Sequence, residues 1–317
     1  MIKKLYLMVT PLLFLLIGVP LTIFISVHII SSFSLVYANQ NDNMPFTYNK
    51  GNSQLPIITN STILKHLGLY TIYQHLNNTI SNLMSISEAS MNRSNTFGNL
   101  PLSNITNEMK VTYHGIPSDQ DIEKRNEAKG LLANNKALLY VGLLLPNGDR
   151  YFGEPYFPYQ TKSSITNFAY RDHFIGALET KQPYLSNVFN AVSTGEPIAI
   201  LASPIYADTK NPNSLIGVQV LGLNLTYFND LVKISMPKEE DNKRMIIVDN
   251  NGTKIADSLS DNNKMQSFQE LQSFQNAKNG KSGLLTEKVN GKDTFISYAP
   301  IKFAQTNWII LLFSSNG

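Results

Sequence analysis

The sequence predicts an α+β protein: one membrane-spanning or signal segment, a long helix, then two tandem antiparallel-sheet units. Three observations carry this expectation. An apolar run from Leu5 to Ile30 contains no Asp, Glu, Lys or Arg. Leu69, Tyr73, Leu76, Ile80, Leu83 and Ser87 recur at three-to-four spacing, the signature of one helix face. Asn147-Gly148 and Asn251-Gly252 each lie between apolar runs, a strong short-range hairpin signal.

The first run has Lys3 and Lys4 before it. A span of roughly 20 apolar residues crosses a bilayer, whereas a secretory core is usually about 7–15 residues, so the length favours a retained anchor. Val36-Tyr37-Ala38 before Asn39 equally fits a cleavage site and a secreted product. In either case the lysines stay cytoplasmic and residues 39–317 lie outside. Six Asn-x-Ser/Thr sequons, at Asn60, Asn77, Asn92, Asn104, Asn224 and Asn251, agree with that side. Trp308–Phe313 is too short to cross and reads as a strand. A single-pass cell-membrane protein with its bulk outside is expected.

Composition removes several function classes. The 317 residues include no cysteine, which excludes disulfides, thiolate metal sites and cysteine nucleophiles. The net charge of +3 is spread without a basic stripe, so no nucleic-acid partner is expected. No cofactor is implied.

The elements follow in order. Residues 1–38 are the anchor or signal segment, and 39–60, rich in Asn, Pro and Gly, are a linker. Residues 61–234 hold the long helix and the first sheet unit, and 235–317 the second. Asn60, Ser61 and Thr62 offer capping oxygens for the helix. Residues 90–117 read as loop, and Ser118 or Asp119 caps a short charged helix through Lys129. The first hairpin runs from Ala137 to Phe152, closed by a type I′ turn at Asn147-Gly148. Strands at Pro197–Tyr206 and Leu215–Leu225 follow, and Thr226–Lys233 is a helical bridge. The pattern recurs: a hairpin over 244–256, a helical region around Phe268–Ala277, and strands Thr294–Ile301 and Asn307–Phe313. Such a unit leaves a concave space between sheet and helical insert.

Two tandem PAS-like sheets on a long helix, outside a membrane anchor, resemble the double Cache (dCache) sensory family over residues 60–315. "YRDHFIGAL" is similar to the family's Arg-Asp/Pro-Tyr-Phe-x-x-Ala-Leu segment. "PYLSNVF", "PIAILASPIYAD" and "LIGVQVLGLNL" resemble the strands after it. The resemblance implies a small-molecule ligand in the membrane-distal unit, gripped by Arg171 and by His173 two residues on, with Tyr184 and Ser186 from the next strand. It departs where amino-acid-binding members carry an aspartate for the ligand amine. Here Leu221-Gly222-Leu223-Asn224 has no acid, and Ser186 stands where an acid is frequent.

The chemistry of residues 167–189 can be weighed alone. Ser186, His173 and Asp172 are the ingredients of a triad, but no Gly-x-Ser-x-Gly turn exposes the serine, and adjacent Asp172 and His173 point about 100° apart on a helix. No enzyme is therefore expected. His114 and His173 lack metal-ligand spacing, and His66 and His75 fall on opposite helix sides. Arg171 is a fixed cation suited to a carboxylate, and Tyr170, Tyr184 and Tyr206 add hydroxyls without charge. Alternatively, Arg171 pairs with Asp172, Glu179 or Glu154 and only fixes a loop. The expected function is extracytoplasmic sensing of a small carboxylate or related metabolite, without a cytoplasmic output module and with a partner receptor to carry the signal. The alternative is a surface structural or adhesion glycoprotein that keeps the fold without a ligand.

Overall fold

The apolar stripe of the sequence becomes a 21-residue helix, α2, Tyr70–Ser90, preceded by a short α1, Ser61–His66. Gly68 breaks the two apart with a φ of 70°, a left-handed value that costs glycine little. The long helix therefore starts at Leu69, with no side-chain cap, rather than at the oxygens of residues 60–62. Ile72, Leu76, Ile80, Leu83 and Ser87 are its buried positions. The computed structural model describes residues 61–91, 102, 104–208, 210–211, 213–236, 242–259 and 265–315. All fall in the unit Gln54–Gly317. The apolar run, the cleavage motif and the linker lie outside the described residues. Among the described residues no helix is long and apolar enough to cross a membrane.

Two further helices precede the first sheet. α3, Asn107–Thr112, falls where a loop was expected and is capped by Thr106 Oγ1. α4, Ile122–Asn134, begins after Asp121, not at Ser118 or Asp119. Asp121 does not cap it, because its carboxylate accepts the Tyr151 hydroxyl hydrogen instead.

The first sheet contains β1, Leu138–Leu144, β2, Arg150–Glu154, β3, Tyr184–Leu185, β6, Ile200–Tyr206, and β7, Leu215–Leu223. Its order is β2-β1-β7-β6-β3. Between β2 and β3 lie a π turn, Tyr156–Gln160, and α5, Asp172–Thr180. β4, Phe189–Asn190, and β5, Pro197–Ile198, form a small separate ribbon. The bridge is α6, Leu225–Ser235, capped by Asn224. The second sheet contains β8, Lys243–Val248, β9, Lys254–Asp257, β10, Gly283–Val289, β11, Lys292–Phe303, and β12, Thr306–Ser315, with α7, Gln272–Lys278, inserted after β9. Its order, β10-β11-β12-β8-β9, repeats the first sheet's order. β10 was not expected, because its side chains alternate between exposed and half-buried at an edge.

Both hairpins close in the same way, and not by the expected type I′ turn. Gly148 N–H donates to Leu145 O and Leu145 N–H to Asp149 O; Gly252 and Asp249 repeat this with Thr253 O. Only the glycines have positive φ, 84° at Gly148 and 80° at Gly252. This is the three-residue loop in which a left-handed glycine ends the turn. A core cluster runs from Leu64 through Ile72, Leu143, Leu221, Phe228 and Trp308 to Leu312. It lies where α2 packs on β6, β11 and α6. The buried Ser87–Ser203 hydroxyl pair joins α2 to β6.

A valine at position 148 would take a left-handed backbone and press its Cβ on Ala169. Gly148→Val should therefore cost about 2 kcal/mol and lower Tm by roughly 4–8 °C. Gly130, in α4 with open space around its Cα, is the control, since Gly130→Ala should raise Tm. A melting temperature unmoved by Gly148→Val would contradict the turn geometry.

Candidate ligand-binding site

The first sheet and α5 do not close on each other completely. Between them lies a cavity of about 50 Å³, room for three to five waters at roughly 10–15 Å³ each. It is partly open to solvent. Tyr140, Leu144, Ile200 and Val220 of the sheet form one wall; Arg171, His173, Phe189 and the loop Ala191–Ser193 form another. Arg150, Tyr159 and Phe168 complete it. No Asp or Glu is among the lining residues.

Arg171 immediately precedes α5 in extended conformation. Its N–H donates to Phe168 O, and its C=O accepts from Phe174 and Ile175 N–H, so the backbone is fixed. The guanidinium is held differently. Its carbon lies 5.2 Å from the Tyr170 ring and 5.2 Å from the Phe189 ring. Its Nε is buried with no hydrogen-bond partner. None of the acids considered for it pairs with it. Glu154 is taken by Arg125 at 2.6 Å, and Asp172 Oδ1 accepts the His173 N–H at 2.8 Å. Among the described residues no carboxylate lies within ion-pair distance of Arg171.

His173 is 4% exposed, and its ring stacks on Phe189 with centroids 6.0 Å apart. Asp172 Oδ1 is 3.5 Å from Nδ1, too long for a hydrogen bond. Burial therefore dominates and pushes the imidazole pKa down. The other four sequence candidates do not line the cavity. Tyr170 is 59% exposed, with its ring against Arg171. Tyr184 packs against Gly176 of α5. The Ser186 hydroxyl accepts the Ile200 N–H, which locks it to the sheet. Tyr206 is buried at the far end of β6, where its N–H donates to Met91 O.

Among the lining residues that were not anticipated are Arg150, Tyr140 and Tyr159. Arg150 is buried; NH1 donates to Gln160 O at 3.1 Å and NH2 to Ser163 Oγ at 3.0 Å, and Phe168 stacks on the guanidinium at 4.7 Å. Gln160 is the hub of this corner. Its side chain also accepts from Gly153 N–H and Arg125, and donates to Tyr113 O and Ile116 O. Tyr159 thereby lies against Tyr140, ring centroids 5.3 Å apart.

Two sheets of equivalent strand order share one long helix, and the first leaves a largely apolar cavity with two guanidinium groups in its lining. Residues 70–315 match the Cache domain family, and the chain belongs to it. A search among curated proteins finds no similar sequence. Among solved structures the chain is similar to an extracellular ligand binding receptor from Desulfohalobium retbaense, with a TM-score of 0.56 and 17% identity over 80% of this chain and 40% of that one. It thus spans less than half of that receptor. It is also similar to the ligand-binding domain of the Pseudomonas aeruginosa amino acid chemoreceptor PctC in complex with GABA, at TM-score 0.53 and 14% identity over 80% and 99%. The ligand-binding domain of the Pseudomonas fluorescens chemoreceptor CtaA in complex with L-isoleucine gives 0.53 and 15% over 82% and 97%. At these identities the likeness is one of fold.

The lowered His173 pKa has a stability consequence with a definite sign. The unfolded imidazole takes a proton near its ordinary pKa, whereas the folded one resists until lower pH. The unfolded chain then binds more protons, so stability falls as pH drops from about 7 to about 5. His173→Gln should flatten the slope of Tm against pH in that window. An unchanged slope would show that this imidazole is not the group responsible. Asp172, held low by its His173 neighbour, acts in a more acidic range and leaves the window clear.

Proposed function

We propose that the chain is an extracytoplasmic sensory protein that binds a small carboxylate in the cavity of its first sheet unit, with Arg171 as anchor. In this reading residues 61–234 are the membrane-distal unit and 235–317 the proximal one. Residues 1–38 tie the chain to the membrane, and a partner receptor reads the bound state. The observation that carries the proposal is a partly buried guanidinium, walled by aromatic rings, in a cavity with no acid. A fixed cation without a counter-ion, screened from water, favours a carboxylate that can take a forked contact. His173, neutral and buried, adds a ring nitrogen beside it. The complexes of PctC with GABA and of CtaA with L-isoleucine, on the same fold, agree with a small ligand that carries a carboxylate. A structural glycoprotein that had lost its ligand would fill this space with apolar side chains, as the second unit does around Phe274 and Tyr298.

The test is calorimetric titration of the full-length chain with small carboxylates, amines and amino acids. A charge-assisted hydrogen bond is worth roughly 1.5–3 kcal/mol, so Arg171→Ala should weaken a carboxylate by at least about tenfold. Arg171→Lys should recover only part of the loss, since a point charge cannot fork. The unliganded Tm of Arg171→Ala should move little, because among the described residues no group accepts a hydrogen bond from this guanidinium. A clear fall in Tm with no ligand found would support the structural alternative. Protease added to intact cells should digest residues 39–317, and protection of the folded part would overturn the proposed side of the membrane.

A further inference from the structure

The carboxylate reading uses one of two guanidinium groups in the cavity. The second, Arg150, is 4% exposed and has no acid partner among the described residues. Its hydrogen-bond partners are the Gln160 carbonyl and the Ser163 and Tyr140 hydroxyls, and its Nε has none. Burial pulls its pKa down. A buried charge without a counter-charge is costly, and the cost is met by an ion pair or by a bound anion.

The second unit shows what the fold does when the chain supplies that anion itself. Both hairpins slip register at the same place, between Leu143 and Leu144 and between Ile247 and Val248. Arg150 pairs with Leu144 as Lys254 pairs with Val248; Gly153 pairs with Gly142 as Asp257 pairs with Ile246. Lys254 is therefore the positional equivalent of Arg150, and Asp257 of Gly153. Lys254 Nζ lies 3.8 Å from Asp257 Oδ2. In the first unit that acid is missing: position 153 is glycine, and a Cβ there would run into the Tyr140 ring. The helix starts differ in the same sense, with Arg171 before α5 and Leu271 before α7. One unit thus sets an acid beside its buried cation, an acid that also pairs with Arg244 at 2.6 Å. The other carries two cations into a cavity and no acid.

We infer that the ligand is a compact dianion, a short-chain dicarboxylate, whose first acid group is held by Arg171 and whose second is held by Arg150. This rests on the carboxylate reading of the site and adds a second recognition residue to it. Arg150 is fixed from two sides by Gln160 and Ser163, so it meets the ligand without first being ordered, and it discriminates by charge. A monocarboxylate of the same length satisfies Arg171 and leaves Arg150 as it was.

The experiment titrates the full-length chain at neutral pH with oxalate, malonate and succinate, each beside its monomethyl ester, and with inorganic phosphate. The expected result is that the best diacid binds at least about tenfold more tightly than its monoester. Arg150→Gln should bring the two within threefold, whereas Arg171→Gln should weaken both. A diacid and monoester that bind within threefold of each other in the unaltered protein overturn the inference and leave the carboxylate reading standing. That comparison needs no variant, so it decides the matter even if Arg150→Gln fails to fold. Phosphate binding tighter than every diacid overturns the two-group arrangement. Failure of these anions and of the other small carboxylates and amino acids to bind overturns the carboxylate reading and this inference together.

Discussion

A five-stranded antiparallel sheet with two apolar faces must cover both, and that requirement organises the whole molecule. On one face α2 packs on β6 of the first sheet and β11 of the second, α4 covers β1 and β2, and α6 covers β9, with Trp308 packed edge-on to Phe228 and Phe303 at the centre. The other face is left to each unit's own short helix, α5 or α7. In the second unit Phe274 and Ala277 press onto Ile246, Ile296 and Ile309 in an apolar cluster. In the first unit Phe174 and Ala177 do the same at one end, while Arg171 and His173 replace Leu271 and Ser273 at the other. The cavity is a local departure from a packing scheme the chain carries out twice.

That departure has a physical cost that explains the polar scaffolding beside it. Arg125, fully buried, is satisfied by Glu154, by the carbonyls of Gln120, Ile116 and Pro117, and by the Gln160 amide. Truncating one partner of such a pair typically costs about 3–5 kcal/mol, because the other charge stays buried. The network fixes the π turn, and the turn fixes Tyr159 and the carbonyl that receives Arg150. Polar residues far from the cavity thus determine its shape.

Much of this was legible in the sequence because the signals were local. The α2 stripe and the Asn-Gly positions each depend on a few neighbouring residues. Arg171 and His173 could be named because they fall within "YRDHFIGAL", the segment that resembles the family's motif. Arg150 could not, since strand alternation places it only once the register slip at Leu143–Leu144 is known, and a slip leaves no mark in composition. Tyr184, Ser186 and Tyr206 show the converse. Each has the right chemistry, but Tyr184 is spent on packing, the Ser186 hydroxyl on the Ile200 N–H, and Tyr206 is buried at the end of β6, away from the cavity lining. The edge strand β10 escaped because its outward side chains are polar, as an exposed edge requires.

The second unit also takes part in building the site. Gln305, in the turn between β11 and β12, grips Leu185 by both its N–H and its C=O, at 2.9 and 2.7 Å. Asp249, in the β8–β9 turn, accepts the Val188 N–H at 2.8 Å, along with the N–H groups of Asn251 and Thr253. Burial pushes the Asp249 pKa up, while these N–H groups favour the charged form. At about 1 kcal/mol each, and more where the acceptor is charged, such bonds resist any slide of residues 185–188 against the second sheet. The next residue is Phe189, whose ring stacks on His173 and faces the Arg171 guanidinium. The side chain that orders both candidate ligand groups is therefore positioned from the neighbouring sheet, and a cavity built on one unit takes its geometry from two.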